Sequence, residues 1–90
     1  MNINFEELIR NIISPLVVYP NDIVIKTIDG DETCYQVFVR KEDIGRVIGK
    51  QGKIANAIRT ICFAGASKEN KKIRIEFDSL ENAWAFFFCL

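Results

Sequence analysis

The chain opens with apolar residues at helical spacing: Phe5, Leu8, Ile9, Ile12, Ile13 and Leu16. Steps of three and four residues stack these side chains on one face of an α-helix. Asn4 offers a capping oxygen and Glu7 follows three residues later, as in a capping box. Pro15 has no N–H to donate, so the helix kinks there or frays into its last turn. Pro20 pushes Tyr19 out of the helical region, and Tyr19-Pro20-Asn21-Asp22 reads as a turn. The period then changes. Ile23 to Ile28 is β-branched and reads as a strand, and Thr33 to Val39 alternates Tyr35, Val37 and Val39 against Cys34, Gln36 and Phe38. Asp29-Gly30-Asp31-Glu32 lies between them and carries an Asp-Gly hairpin signal.

Helical spacing returns at Lys41 or Glu42, in a short segment with Ile44, Val47 and Ile48 on one side. Glu42 and Asp43 in its first turn suit the helix dipole. Gly49 is placed to end it in a left-handed conformation. A second helix, about Lys53 to Ala66, gathers Ile54, Ala57, Ile58 and Ile61, and Lys68-Glu69-Asn70-Lys71 is a polar loop. Lys72 to Phe77 alternates again, with Ile73, Ile75 and Phe77 inward. The order helix, strand, strand, helix, helix, strand predicts an α+β fold with three helices on one face of a three-stranded mixed sheet. Its last two strands run parallel, joined by a right-handed two-helix crossover. Residues 1–78 form one domain, and 79–90 form a hydrophobic tail that can start a short helix at Ser79.

Ninety residues suffice for one domain. A chain this short buries only about 60% of its unfolded surface, so association would help it. The formal net charge is zero, yet the charges are not evenly spread. Residues 1–39 carry two basic and six acidic side chains, residues 40–74 ten basic and three acidic, and residues 75–90 three acidic and no basic. The middle third can therefore hold an anion-binding surface, because each charge reaches only about 8 Å at physiological salt. Cys34, Cys62 and Cys89 are far apart, with no C-x-x-C pair, so neither a disulfide framework nor a zinc site is expected. Histidine is absent, and with it the commonest metal ligand and general base. No secretory signal is read at the N-terminus. The longest apolar run, Ala83 to Leu90, is far shorter than the ~20 residues that cross a bilayer. A cytoplasmic protein without membrane insertion, cofactor or catalytic activity is expected.

The chemistry concentrates in Ile44-Gly45-Arg46-Val47-Ile48-Gly49-Lys50-Gln51-Gly52-Lys53. Two short helices joined by Gly-x-x-Gly leave backbone N–H groups at the junction, where they and the helix dipole attract phosphate. A side chain at Gly49 or Gly52 would keep a sugar-phosphate backbone from the main chain. Lys50 and Lys53 add charge, and Arg46 and Arg59 lie one or two turns away. Ile44, Val47, Ile48, Ile54 and Ile58 divide between core and an apolar floor for unstacked bases. A Walker-type nucleotide loop is excluded: Gly45 and Gly49 are one residue too close, Gln51 stands where Ser or Thr is needed, and a helix precedes the turn.

These residues and the element order resemble the KH domain in its type II, bacterial arrangement. Continued through Ile54-Ala55-Asn56-Ala57-Ile58-Arg59-Thr60, they are similar to the small bacterial single-KH RNA-binding family (KhpA-like). The resemblance spans Phe5 to Phe77. It implies a GXXG loop, Gly49-Lys50-Gln51-Gly52, that clamps the backbone of about four nucleotides of single-stranded RNA. It also implies a groove flanked by Ile44, Val47, Ile48, Ile54 and Ile58, with Lys72 to Phe77 as its other wall. A post-transcriptional regulator or RNA chaperone would follow, associating with itself or with a larger KH-containing protein (Jag-like). The Asp29 to Glu32 turn corresponds to the family's variable loop and is acidic, which disfavours RNA contact there. Phe63 is read as packing rather than as a base platform. The tail, with Trp84 and Phe86 to Phe88, departs from the family pattern; it folds onto its own sheet, joins chains, makes a peripheral membrane contact or is a sequence end that is not native. The alternative to RNA binding is a KH-like adaptor for protein partners with vestigial RNA contact.

Overall fold

The computed structural model describes residues 3–81. Helix α1 (Phe5–Ile13) starts where Asn4 Oδ1 accepts from the Glu7 N–H at 3.1 Å, and it buries Phe5, Ile9 and Ile13. It stops at Pro15: Ser14–Leu16 tightens to a 3-10 turn, and the Ser14 hydroxyl donates to the Arg10 carbonyl at 2.6 Å. Of the two outcomes that Pro15 allows, the helix therefore frays rather than kinks. A second 3-10 turn, Pro20–Asp22, leads into β1 (Val24–Ile28). Ile23 is buried but precedes the strand.

Strand β2 (Thr33–Val39) pairs antiparallel with β1, Val24 opposite Phe38 and Ile28 opposite Cys34. Gly30 does not take a positive φ, so the two-residue turn that Asp-Gly favours is not formed, and Asp29–Glu32 makes a wider loop. A 3-10 turn, Lys41–Asp43, then opens α2 (Ile44–Ile48). After the glycine turn comes α3 (Lys53–Lys68), two residues longer than its spacing predicts, and then β3 (Ile73–Ser79). Strand β3 lies parallel to β2, Thr33 beside Ile73 and Val39 beside Ser79, in a sheet of order β1-β2-β3. The expected α+β architecture and element order are the observed ones.

Alternation along the strands decides which face the helices cover. Val37, Val39, Ile73 and Ile75 join Phe5, Ile9 and Ile13 of α1, Val47 of α2, and Ile58, Cys62 and Ala66 of α3 in one core cluster. Tyr35 lies on the same face, its ring centroid 5.9 Å from that of Phe5. Burial pushes the Cys62 thiol above its ordinary value, so it stays protonated at neutral pH. Phe38 is buried too, apart from that cluster. Of the tail expected at residues 79–90, Ser79 does not start a helix but ends β3, because it still pairs beside Val39; residues 82–90, with Cys89, lie outside the described residues.

Among the described residues, one charged side chain is fully enclosed. Asp43 is 0% exposed, and its two carboxylate oxygens each accept a backbone N–H at 3.0 Å, one from Val18 and one from Tyr19. The connection between α1 and β1 is thereby fixed to the start of α2. Arg40 holds the far side of that connection, with its Nε 2.6 Å from an Asp22 oxygen and its guanidinium 4.1 Å from the Tyr19 ring centroid. Replacing Asp43 by Ala removes both acceptors and leaves two amides unmatched. At ~1.5–3 kcal/mol for a hydrogen bond to a carboxylate, D43A is expected to lose about 3 kcal/mol or more of unfolding free energy in a urea titration. D43N, which keeps one acceptor oxygen, loses roughly half as much.

Candidate nucleic-acid interface

Three of the four residues in the turn between α2 and α3 have a positive φ. Gly49 has φ 77° and ψ 173°, Gln51 φ 58° and ψ 25°, and Gly52 φ 75° and ψ 14°; Lys50 is the exception. Gly49 does end α2, but in an extended positive-φ conformation open essentially to glycine alone, not the left-handed helical one. It also lies against the next helix, since a Cβ there would sit 2.6 Å from Ile54 Cγ1. Gln51 takes the left-handed conformation with a side chain in place, at a cost of about 1–2 kcal/mol.

This geometry determines which amides are open. The Gly49 N–H donates to the Gly45 carbonyl at 2.9 Å, and the Gly52 N–H to the Gly49 carbonyl at 3.2 Å. Lys53 donates to the Lys50 carbonyl. Among the described residues no backbone carbonyl accepts from the N–H of Lys50 or Gln51. Open donors thus lie in the middle of the turn, between the two glycines. Lys50, Gln51 and Lys53 are exposed. Neither lysine has an ion-pair partner among the described residues. Two free N–H groups between two free cations suit a phosphodiester oxygen.

The other expected residues divide. Val47 and Ile58 are 0% and 1% exposed, so they hold α2 and α3 onto the sheet and have no surface to offer RNA. Ile44, Ile48 and Ile54 are half-buried at the rim. Arg46 points away from the turn: its Nη1 donates to the Glu42 carbonyl at 2.6 Å and lies 3.4 Å from Asp43 Oδ1. Arg59 reaches across to β3, where its Nε donates to the Ile75 carbonyl at 3.1 Å and its guanidinium carbon lies 5.5 Å from the Phe77 ring centroid. Its Nη1 donates to Asn56 Oδ1 at 3.2 Å. The anchoring role of Asn56 was not read from sequence, though its position one turn before Arg59 was a usable signal. Phe63, read as packing, is 42% exposed. A hollow of about 370 Å³ lies not at the glycine turn but beside Arg59 and the β3 residues Glu76 to Asp78.

Comparison with known families matches residues 6–77 to the description "KhpA/KhpB, KH domain". An RNA-binding protein KhpA from Listeria monocytogenes serovar 1/2a is 56% identical over 72 residues, covering 79% of this chain and 95% of the relative. The RNA-binding protein KhpA of Clostridium perfringens is 46% identical over 72 residues, 79% of this chain and 96% of the relative. That of Bacillus subtilis is 43% identical over 74 residues, 81% and 91%. No solved structure matches. The chain belongs to the KhpA/KhpB KH-domain family.

The glycines of the turn give a graded prediction. G49A combines a forbidden backbone conformation with the Ile54 clash and is expected to lose about 2–4 kcal/mol. G52A meets only Asn56 Nδ2 at 3.8 Å, so its cost is the left-handed backbone alone, about 1 kcal/mol. G45A meets nothing within 4 Å in a helix and gains about 0.5–1 kcal/mol. Urea midpoints of the three variants check the order.

Proposed function

We propose that this KH-family chain is a non-catalytic single-stranded RNA-binding protein whose Gly49-Lys50-Gln51-Gly52 loop clamps the phosphate backbone. The observation that carries the reading is the pair of amides at Lys50 and Gln51, which no carbonyl among the described residues engages, beside the exposed Lys50 and Lys53, which have no ion-pair partner among those residues. The positive φ of Gly49 and Gly52 leaves the main chain bare on that side, so a phosphate approaches without meeting a Cβ. Ile44, Ile48 and Ile54 provide a shallow apolar rim for the bases that follow. The names of the relatives agree with this reading, since each is an RNA-binding protein KhpA.

Affinity drawn from phosphate contacts is modest for one domain and strongly salt-dependent. A domain of this size gains reach by acting as a dimer or with a larger KH-containing partner of the Jag type. In that setting it would work in the cytoplasm as a post-transcriptional regulator or RNA chaperone. The RNA-binding unit expected at residues 1–78 extends through Ser79, the end of β3, and a segment hydrophobic in sequence follows it.

The test is the double variant K50D/Q51D, which places two carboxylates at the phosphate seat on exposed side chains. Fluorescence anisotropy with a labelled uridine octamer should give at least a tenfold weaker Kd, with an unchanged urea midpoint. The slope of log affinity against log salt should flatten by about 0.7 for each phosphate that is no longer neutralised. Equal affinity and slope in both proteins would remove the RNA reading and leave the protein-adaptor role.

A further inference from the structure

The three helices pack on one face of the sheet, against Val37, Val39 and Ile75, and strand alternation defines the other face. Val24, Lys26 and Ile28 of β1 stand there opposite Phe38, Gln36 and Cys34 of β2, with Asp78, Glu76 and Arg74 of β3 completing the three rows. On a bare face of this kind each side-chain tip stays in water, because cross-strand neighbours flank a residue without covering it. Most of these residues behave so. Val24 is 41% exposed and Ile28 44%, and Arg74, Glu76 and Asp78 are exposed.

Two neighbours on β2 do not. Phe38 is only 5% exposed. Gln36, two residues earlier on the same face, has its Oε1 shut off from solvent with no hydrogen-bond partner. Taking an amide oxygen out of water unmatched is unfavourable, so apolar contact beside it has to offset the loss. The cover is thus confined to the C-terminal half of β2, while the strands on either side stay open.

The course of the chain identifies the cover. Asp78 pairs beside Phe38 and Ser79 beside Val39, so β3 leaves the sheet one row from the covered spot. The chain turns at once: Leu80 and Glu81 are helical, Leu80 half-buried and Glu81 exposed. We infer that residues 82–90 continue this helix and dock on the open face of the chain's own sheet, over Phe38 and Gln36. Leu80 sets the phase. Steps of three and four residues from it bring Ala83, Trp84 and Phe87 to the sheet side and leave Asn82, Ala85 and Phe86 outward. Residues 82–90 span about 13 Å as a helix, and Phe38 to Cys34 along β2 is also about 13 Å. A helix about 10 Å across covers one strand and little more, in keeping with a shielded β2 between an open Val24 and an open Glu76. The tail of the same chain starts one row away, at an effective concentration of about millimolar, which favours it over the tail of a second copy. The glycine turn lies on the helix side of the sheet, so tail docking and RNA binding succeed or fail separately.

Trp84 is the single tryptophan of the chain and reports on the tail directly. In the folded full-length protein its emission should be blue-shifted, and acrylamide should quench it severalfold less than in urea. Q36E and F38S, which place a charge or a void under the tail, should shift the emission to the red and raise the quenching. I61E, at a 52% exposed position on α3, should leave both unchanged. Far-UV circular dichroism in urea verifies that each variant is folded. Excess W84F protein, whose own sheet face is intact, should not restore the blue shift of Q36E. A water-exposed Trp84 in the folded wild type overturns the docking without any variant. A shielded Trp84 in both Q36E and F38S, or one released by I61E, places the tail on another surface and overturns it too. Restoration by W84F assigns the cover to a second copy and overturns docking within one chain.

Discussion

The constraint on which the rest of the structure depends is the parallel pairing of β2 with β3. Parallel neighbours cannot be joined by a tight turn, so the chain has to leave the sheet, cross one face and return. In this protein the crossing is α2, the glycine turn and α3, and the turn is its apex. Val47, Ile58 and Cys62 press the two helices onto Val37, Val39 and Ile75, which fixes both ends of the apex without using it as packing. The turn is thus rigidly placed and left bare. A charge-neutral chain can then expose two lysines, unpaired among the described residues, beside two open amides, because acidic side chains near by are engaged elsewhere. Asp43 is buried under the Val18 and Tyr19 amides, and Asp22 holds Arg40.

Most of the fold could be read from the period of the apolar residues. The 3-4 spacing of α1, the alternation of β2 and β3, and the punctuation by Pro15 and Gly49 all have direct local causes, and the element order follows from them. Other features have no local signature. Asp43 looks like an acidic first-turn residue suited to the helix dipole, yet its partners are amides about 25 positions earlier, an arrangement that only the tertiary fold creates. Gly30 advertises a two-residue hairpin turn, but the register of β1 and β2 leaves more chain to accommodate, and the glycine keeps an ordinary φ.

The site was readable to a similar depth. Residue type and spacing located the Gly49 to Gly52 turn, because glycine at those positions has a conformational cause. The division of the flanking isoleucines and valine was not readable, since a residue on an amphipathic helix can face the core or the groove with the same spacing. Val47 and Ile58 went inward; Ile44, Ile48 and Ile54 stayed at the rim. Arg46 and Arg59 are alike in sequence as cations near the turn, but one is folded back on its own helix and the other bridges to a strand. Charge alone does not tell a side chain where to reach.

The register of β2 and β3 also bears on the order in which the molecule assembles. Thr33 and Ile73 are neighbours in space and forty positions apart in the chain, whereas β1 and β2 meet across a short loop. Closing the long loop costs chain entropy before any strand pairing offsets it, so the hairpin is the early unit and β3 the late one. As an edge strand β3 has one ladder, as β1 has, but it carries Ile73 and Ile75 into the core. Its release would take the Ile75 carbonyl away from Arg59 while the hairpin and α1 remain folded. The wall opposite the glycine turn is therefore the last part of this protein to form.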